Sequence, residues 1–141
     1  MMTFNFNFND QVCTTVNQSN RLLNLGLNPE TADMIHSYEE NEGWTFWQTY
    51  VDDWCPDTQI TPDYLPAWSL SRLMSLCPER LKSCDFVDRD YILTITPDKI
   101  MYKNDFHEWL YIRDDLNLFN RMIDMIEWLI TNNHLDKKYL L

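Results

Sequence analysis

Apolar residues recur at Leu116, Phe119, Ile123, Ile126 and Ile130, in steps of three and four. That spacing places them on one face of an α-helix. Met122, Met125 and Leu129 widen the stripe, Asp114 or Asp115 is placed to cap its start, and Asn132-Asn133 closes it. Burying five such side chains contributes on the order of 8–15 kcal/mol before chain entropy is subtracted. A charge at Ile123 or Ile126 is therefore expected to unfold the domain.

Two shorter helices have clear punctuation. Thr15-Val16-Asn17-Gln18 matches a capping box, in which the threonine hydroxyl and the glutamine side chain each satisfy a backbone N–H of the other residue. Leu22, Leu23 and Leu25 follow, Gly26 stands where a left-handed cap belongs, and Leu27 can fold back on Leu22. A helix of this length needs a packing partner for its leucines. Ser69 is placed to cap the other short helix, with Leu70, Leu73, Met74 and Leu76 or Cys77 on its inner side. Pro78 ends it, because the residue before a proline avoids the helical region.

Strand patterns fill most of the remainder. Asn28-Pro29-Glu30 reads as a turn, and Ala32 to Tyr38 mixes strand formers with polar residues. Glu39 to Gly43 reads as an acidic hairpin loop, with Gly43 free to take positive φ. Trp44 to Val51 is dense in aromatic and β-branched residues and is read as a strand, although Trp44, Trp47, Val51 and Trp54 also have helical spacing. Residues 55–66, with Pro56, Pro62 and Pro66, read as an ordered loop, and residues 78–88 as irregular or one further helical turn. Tyr91–Ile95, Lys99–Tyr102 and Phe106–Ile112 form a three-stranded antiparallel meander. Residues 1–12 alternate Phe and Asn as a frayed end or an edge strand. The expected class is α+β: a mostly antiparallel sheet of about five strands with three helices packed on one face. The chain of 141 residues is expected to form one domain.

Charge changes this picture more than composition does. Net charge is −11, and the stretch from Asn28 to Pro66 holds nine acids and no lysine or arginine. Residues 71–141 hold twelve acids against ten bases. A solvated surface that keeps the protein soluble is one reading of the acidic stretch. The other is a docking face for a basic protein, because Trp44, Phe46, Trp47, Tyr50, Trp54 and Tyr64 lie in the same stretch. The residues expected to carry that face are Glu39, Glu40, Glu42, Trp44, Trp47, Asp52, Asp53 and Trp54. A field of this sign repels phosphate backbones, so direct nucleic-acid binding is disfavoured. No apolar run approaches the roughly 18–20 residues of a membrane span. Met1 to Asp10 lacks the basic flank, apolar stretch and cleavage site of a signal peptide, so a cytoplasmic location is expected.

Candidate chemistry is sparse. Gly26 and Gly43 are the two glycines, too few for a phosphate-cradling loop. His36, His107 and His134 stand too far apart in sequence for a helical two-histidine metal motif. His36, near Asp33 and Glu39, reads as a surface histidine. Cys13, Cys55, Cys77 and Cys84 lack zinc-knuckle spacing and read as reduced thiols. Asp88 and Asp90 point the same way if extended, and with His107 they outline a small hydrolase or metal-assisted enzyme as an alternative. A third reading is DNA mimicry, which requires carboxylates in rows at phosphate-like spacing. No catalytic residue, metal site or cofactor is assigned.

Gln18 to Leu27 running on to Thr31-Ala32-Asp33-Met34, Leu65 to Pro78, and the closing helix up to Trp128-Leu129-Ile130 resemble uncharacterised small proteins of gut Bacteroidales and their phages and prophages. These motifs are helix starts and stops. The resemblance implies a bacterial cytoplasm and no particular mechanism. The leading expectation is a small acidic accessory protein, not itself an enzyme, that works by binding another protein.

Overall fold

The computed structural model describes residues 11–48, 64–82, 90–106, 108–114 and 117–141. Helix α1 (Val16–Asn24) begins at the capping box: Thr15 Oγ1 accepts from the Gln18 N–H at 3.1 Å, and Gln18 Oε1 accepts from the Thr15 N–H at 3.0 Å. It ends in a Schellman turn. The Gly26 N–H donates to the Leu23 carbonyl and the Leu27 N–H to the Leu22 carbonyl, with Gly26 at φ +96°. Leu22 and Leu27 are both fully buried. A single 3₁₀ turn (Pro29–Thr31) follows, capped by Asn28.

The first sheet is antiparallel, in the order β2-β1-β3, and comprises β1 (Met34–Glu39), β2 (Gly43–Gln48) and β3 (Tyr64–Ala67). β1 and β2 form the expected hairpin, with Gly43 at φ +73° after the acidic turn. The end of the proline-rich stretch, read as loop, is instead strand: Pro66 lies in β3, opposite Ile35. Among the described residues β3 is an edge strand, where a residue without an N–H is tolerated. Beyond its end the chain continues through a bridge between Cys13 and Ser69 and a bond from the Thr14 N–H to the Trp68 carbonyl.

Helix α2 (Leu70–Leu76) is capped by Ser69, whose Oγ accepts from the Arg72 N–H. Asp33 holds this cap by accepting from both the N–H and the hydroxyl of Ser69. Leu73, Leu76 and Cys77 face inward. Met74, expected on the inner side, is exposed, because the helix buries one narrow stripe and Met74 lies next to Leu73 on its shoulder.

The second sheet is antiparallel in the order β4-β5-β6-β7: β4 (Arg80–Leu81), β5 (Tyr91–Ile95), β6 (Ile100–Lys103) and β7 (Trp109–Arg113). The last three are the expected meander. Within the stretch 78–88, expected to be irregular or one further helical turn, Arg80 and Leu81 are strand, two residues being too few to show a period of two, and residues 83–88 lie outside the described residues. The fold is α+β; the described residues form two antiparallel sheets, of three and four strands, and three α-helices.

Helix α3 (Leu118–Thr131) is the expected C-terminal helix with a later start. Asn117, and neither Asp114 nor Asp115, is its cap, and its Oδ1 accepts from the Asn120 N–H at 3.0 Å. β7 runs to Arg113, so the chain must leave the sheet before it can turn into the helix. Leu116, expected to open the stripe, lies outside the described residues, as do residues 1–10 and 49–63. α3 touches α1, α2, β6 and β7, so Met122, Ile123, Met125, Ile126 and Leu129 are fully buried and Ile130 is left at the rim. Trp68, Ile100 and Tyr102 share this core. A smaller cluster of Cys13, Met34 and Ala67 lies under the first sheet. Among the described residues no helix is long and apolar enough to cross a membrane.

Candidate docking surface

The acidic stretch enters the described structure as the β1–β2 hairpin. Side chains alternate along β1, so Met34, His36 and Tyr38 share one face, and the register adds Trp44 opposite Tyr38. The Met34 end of that face lies on the buried Cys13–Ala67 cluster. The Tyr38 end runs past the core, leaving Tyr38 42% and Trp44 41% exposed. Their ring centroids are 5.4 Å apart with planes tilted by 58°. The His36 ring meets Trp44 edge-on at 6.3 Å. Glu40, Asn41 and Glu42 form the exposed turn between the strands. Tyr64, on the other face and opposite Ser37, is also exposed.

Of the residues expected to carry the docking face, Glu40, Glu42 and Trp44 are brought together at this tip. Glu39 and Trp47 lie in β1 and β2, with side chains outside the described residues; Asp52, Asp53 and Trp54 lie outside them altogether. Tyr38 was missed by the sequence reading. Its signal was present: a hairpin that pairs Glu39 with Gly43 sets Tyr38 opposite Trp44.

The ion pairs found among the described residues lie elsewhere in the molecule. Arg21 pairs with Asp124 at 2.7 Å and Glu127 at 2.6 Å, Arg113 with Asp124 at 3.8 Å, and Lys138 with Asp136 at 3.6 Å. Among the described residues no ion pair involves Glu30, Asp33, Glu40 or Glu42. Each of these pairs uses an acid from the C-terminal third of the chain.

His36 is buried, not on the surface, because strand alternation turns it inward with Met34. Its Nε2 lies 2.6 Å from the Thr14 carbonyl. A carbonyl only accepts, so Nε2 carries the proton. It therefore cannot take one from Cys13 Sγ, 3.9 Å away. Burial, with Asp33 nearby, pushes the Cys13 thiol up to about 11. The pair is a structural latch between the N-terminal segment and β1, without the ionised sulfur a nucleophile requires.

One other cluster gathers titratable groups. A surface cavity of about 280 Å³ is lined by Ser75, Cys77, His134, Asp136 and Tyr139 together with Leu76 and Pro78. Ser75, Cys77 and Asp136 are already engaged. Burial pushes Cys77 up to about 12, Ser75 donates to the Arg72 carbonyl, and Asp136 caps the turn Lys137–Tyr139 while pairing with Lys138. The His134 ring packs against Trp128, with centroids 5.3 Å apart and planes tilted by 35°. For the alternative enzyme, Asp90 is described, whereas Asp88 and His107 lie outside the described residues. Among the described residues no three metal-ligating side chains come together. Cys13 and Cys77 are free thiols.

These features define an acidic α+β protein whose first sheet projects a hairpin with two open aromatic rings. No protein-family model, curated protein or solved structure matches the chain.

Proposed function

We propose that this protein acts by binding a basic protein through the tip of the β1–β2 hairpin. The observation that carries the reading is the pairing of two exposed rings, Tyr38 and Trp44, with carboxylates at Glu40 and Glu42 that no cation of the described residues neutralises. Aromatic rings supply burial at protein interfaces, while unscreened charge selects the partner and speeds the encounter. An accessory role of this kind needs no catalytic group. The experiment is charge reversal of Glu39, Glu40, Glu42, Asp52 and Asp53 to lysine, followed by capture of partners from a lysate of the source organism. Loss of the captured proteins is expected. Recovery of the same proteins by both forms would show that the acidic tip is not a docking face.

A further inference from the structure

The hairpin tip has a shape that narrows the chemistry of its partner. Tyr38 and Trp44 do not stack flat; their planes open at 58° with centroids 5.4 Å apart, so the two rings make a corner. Each ring belongs to a side chain left about two-fifths exposed. The three residues joining their strands are Glu40, Asn41 and Glu42, all exposed. The fold seats guanidinium and ammonium groups on rings elsewhere: Arg113 Cζ lies 5.5 Å from the Tyr111 centroid, and Lys138 Nζ 5.1 Å from that of Tyr139. Among the described residues no cation lies over Tyr38 or Trp44, and the stretch from Asn28 to Pro66 holds no lysine or arginine to provide one.

We infer that this corner receives an arginine side chain from a basic segment of the partner. The inference rests on the docking reading above and deepens it. A ring face attracts a cation through its quadrupole, most strongly for an indole. A guanidinium is flat and weakly hydrated, so it can lie on the Trp44 face while its edge N–H groups turn toward carboxylates. An ammonium is compact and strongly hydrated, and gains less from an open corner. The charge of the surrounding stretch is complementary to a basic segment, and the rings decide which basic side chain it prefers.

The probe is a fluorescently labelled octa-arginine peptide, with octa-lysine beside it, titrated with full-length protein near physiological salt and read by anisotropy. Wild type is expected to bind octa-arginine more tightly than octa-lysine. The pair Glu40→Gln and Glu42→Gln should weaken both peptides, and should do so more than the charge-matched pair Asp98→Asn and Asp105→Asn on the turns of the other sheet. Trp44→Leu keeps an apolar side chain but removes the ring. It should weaken octa-arginine by roughly 2- to 30-fold, the range for exposed to desolvated cation–ring contacts, and should erase the preference over octa-lysine. Trp44→Phe should restore part of the loss. Tyr38→Leu is the second variant should Trp44→Leu misfold by circular dichroism. If the glutamine pair weakens binding while the leucine variants match wild type, the tip docks basic segments by charge alone and the aromatic corner is wrong. If the two charge pairs have equal effects, the docking reading itself fails and the corner with it.

Discussion

Replacing Arg121 with methionine is expected to leave the protein as stable as before, or more so. Arg121 lies in α3, is 3% exposed, and forms no ion pair among the described residues, although the chain carries 22 acids. Its Nη2 donates to the Pro97 carbonyl at 3.0 Å, its Nη1 reaches the Thr96 carbonyl at 3.5 Å, and its Nε has no partner among the described residues. The substitution removes one charge-assisted hydrogen bond, about 1.5–3 kcal/mol. The 3.5 Å contact is at the limit of a hydrogen bond and adds little. Pro97 lies on an exposed turn, so water can take the place of the guanidinium at its carbonyl. Against this loss stands the desolvation of a buried cation, several kcal/mol before compensation, and about 1–3 kcal/mol for the unpaired Nε. Methionine keeps the apolar stem and a comparable helix propensity. The balance is a gain of zero to about 2 kcal/mol, a rise in Tm of up to roughly 8 °C for a domain of this size. Urea unfolding followed by circular dichroism measures it, with Arg121→Ala as the control that also loses the stem and is expected to be destabilised. A loss of more than about 2 kcal/mol in Arg121→Met would show that the guanidinium holds the β5–β6 turn more strongly than water can, and would refute the reasoning.

Gly26→Ala should destabilise by about 1–2 kcal/mol, measured by the same unfolding curves, because φ is +96° while no atom lies within 4 Å of the added Cβ; a neutral result would mean the Schellman turn relaxes freely. Native protein treated with iodoacetamide at pH 8 should remain unmodified at Cys13 and Cys77 by peptide mass spectrometry, and both should react in urea, since both thiols are buried and protonated. The same shifts make stability fall with rising pH. Each folded thiol keeps its proton to about 11 or 12, whereas the unfolded one releases it near 9, so the decline begins around pH 9 and continues through the folded values. Tyr102, also raised by burial, adds to it, and Cys77→Ala should flatten the curve.

Local chemistry made much of the fold legible. The Thr15–Gln18 capping box, the Gly26 turn, the Ser69 cap and the stop before Pro78 each depend on residues within a few positions of one another, so they appear in the sequence and stand unchanged in the structure. The hairpin at Glu39–Gly43 and the meander from Tyr91 were readable for the same reason. Whatever depends on a distant partner was not. β4 exists only because β5 lies beside it, and Pro66 is tolerated in β3 only because that strand is at an edge among the described residues. The start of α3 was set by the exit from β7, not by the nearest acids, and the inward turn of His36 by the sheet that covers it.

The candidate site divides along the same line. Alternating apolar and polar residues, the caps of α1 and α2 and the concentration of negative charge in one stretch were properties of the chain, determined without reference to any fold. Which carboxylates stay unpaired, that Tyr38 and Trp44 open at an angle past the edge of the core, and that Cys13 and His36 form a latch were decided by tertiary structure alone. The reason is physical: propensity and capping act over a few residues, whereas exposure and pairing depend on groups that only folding brings together.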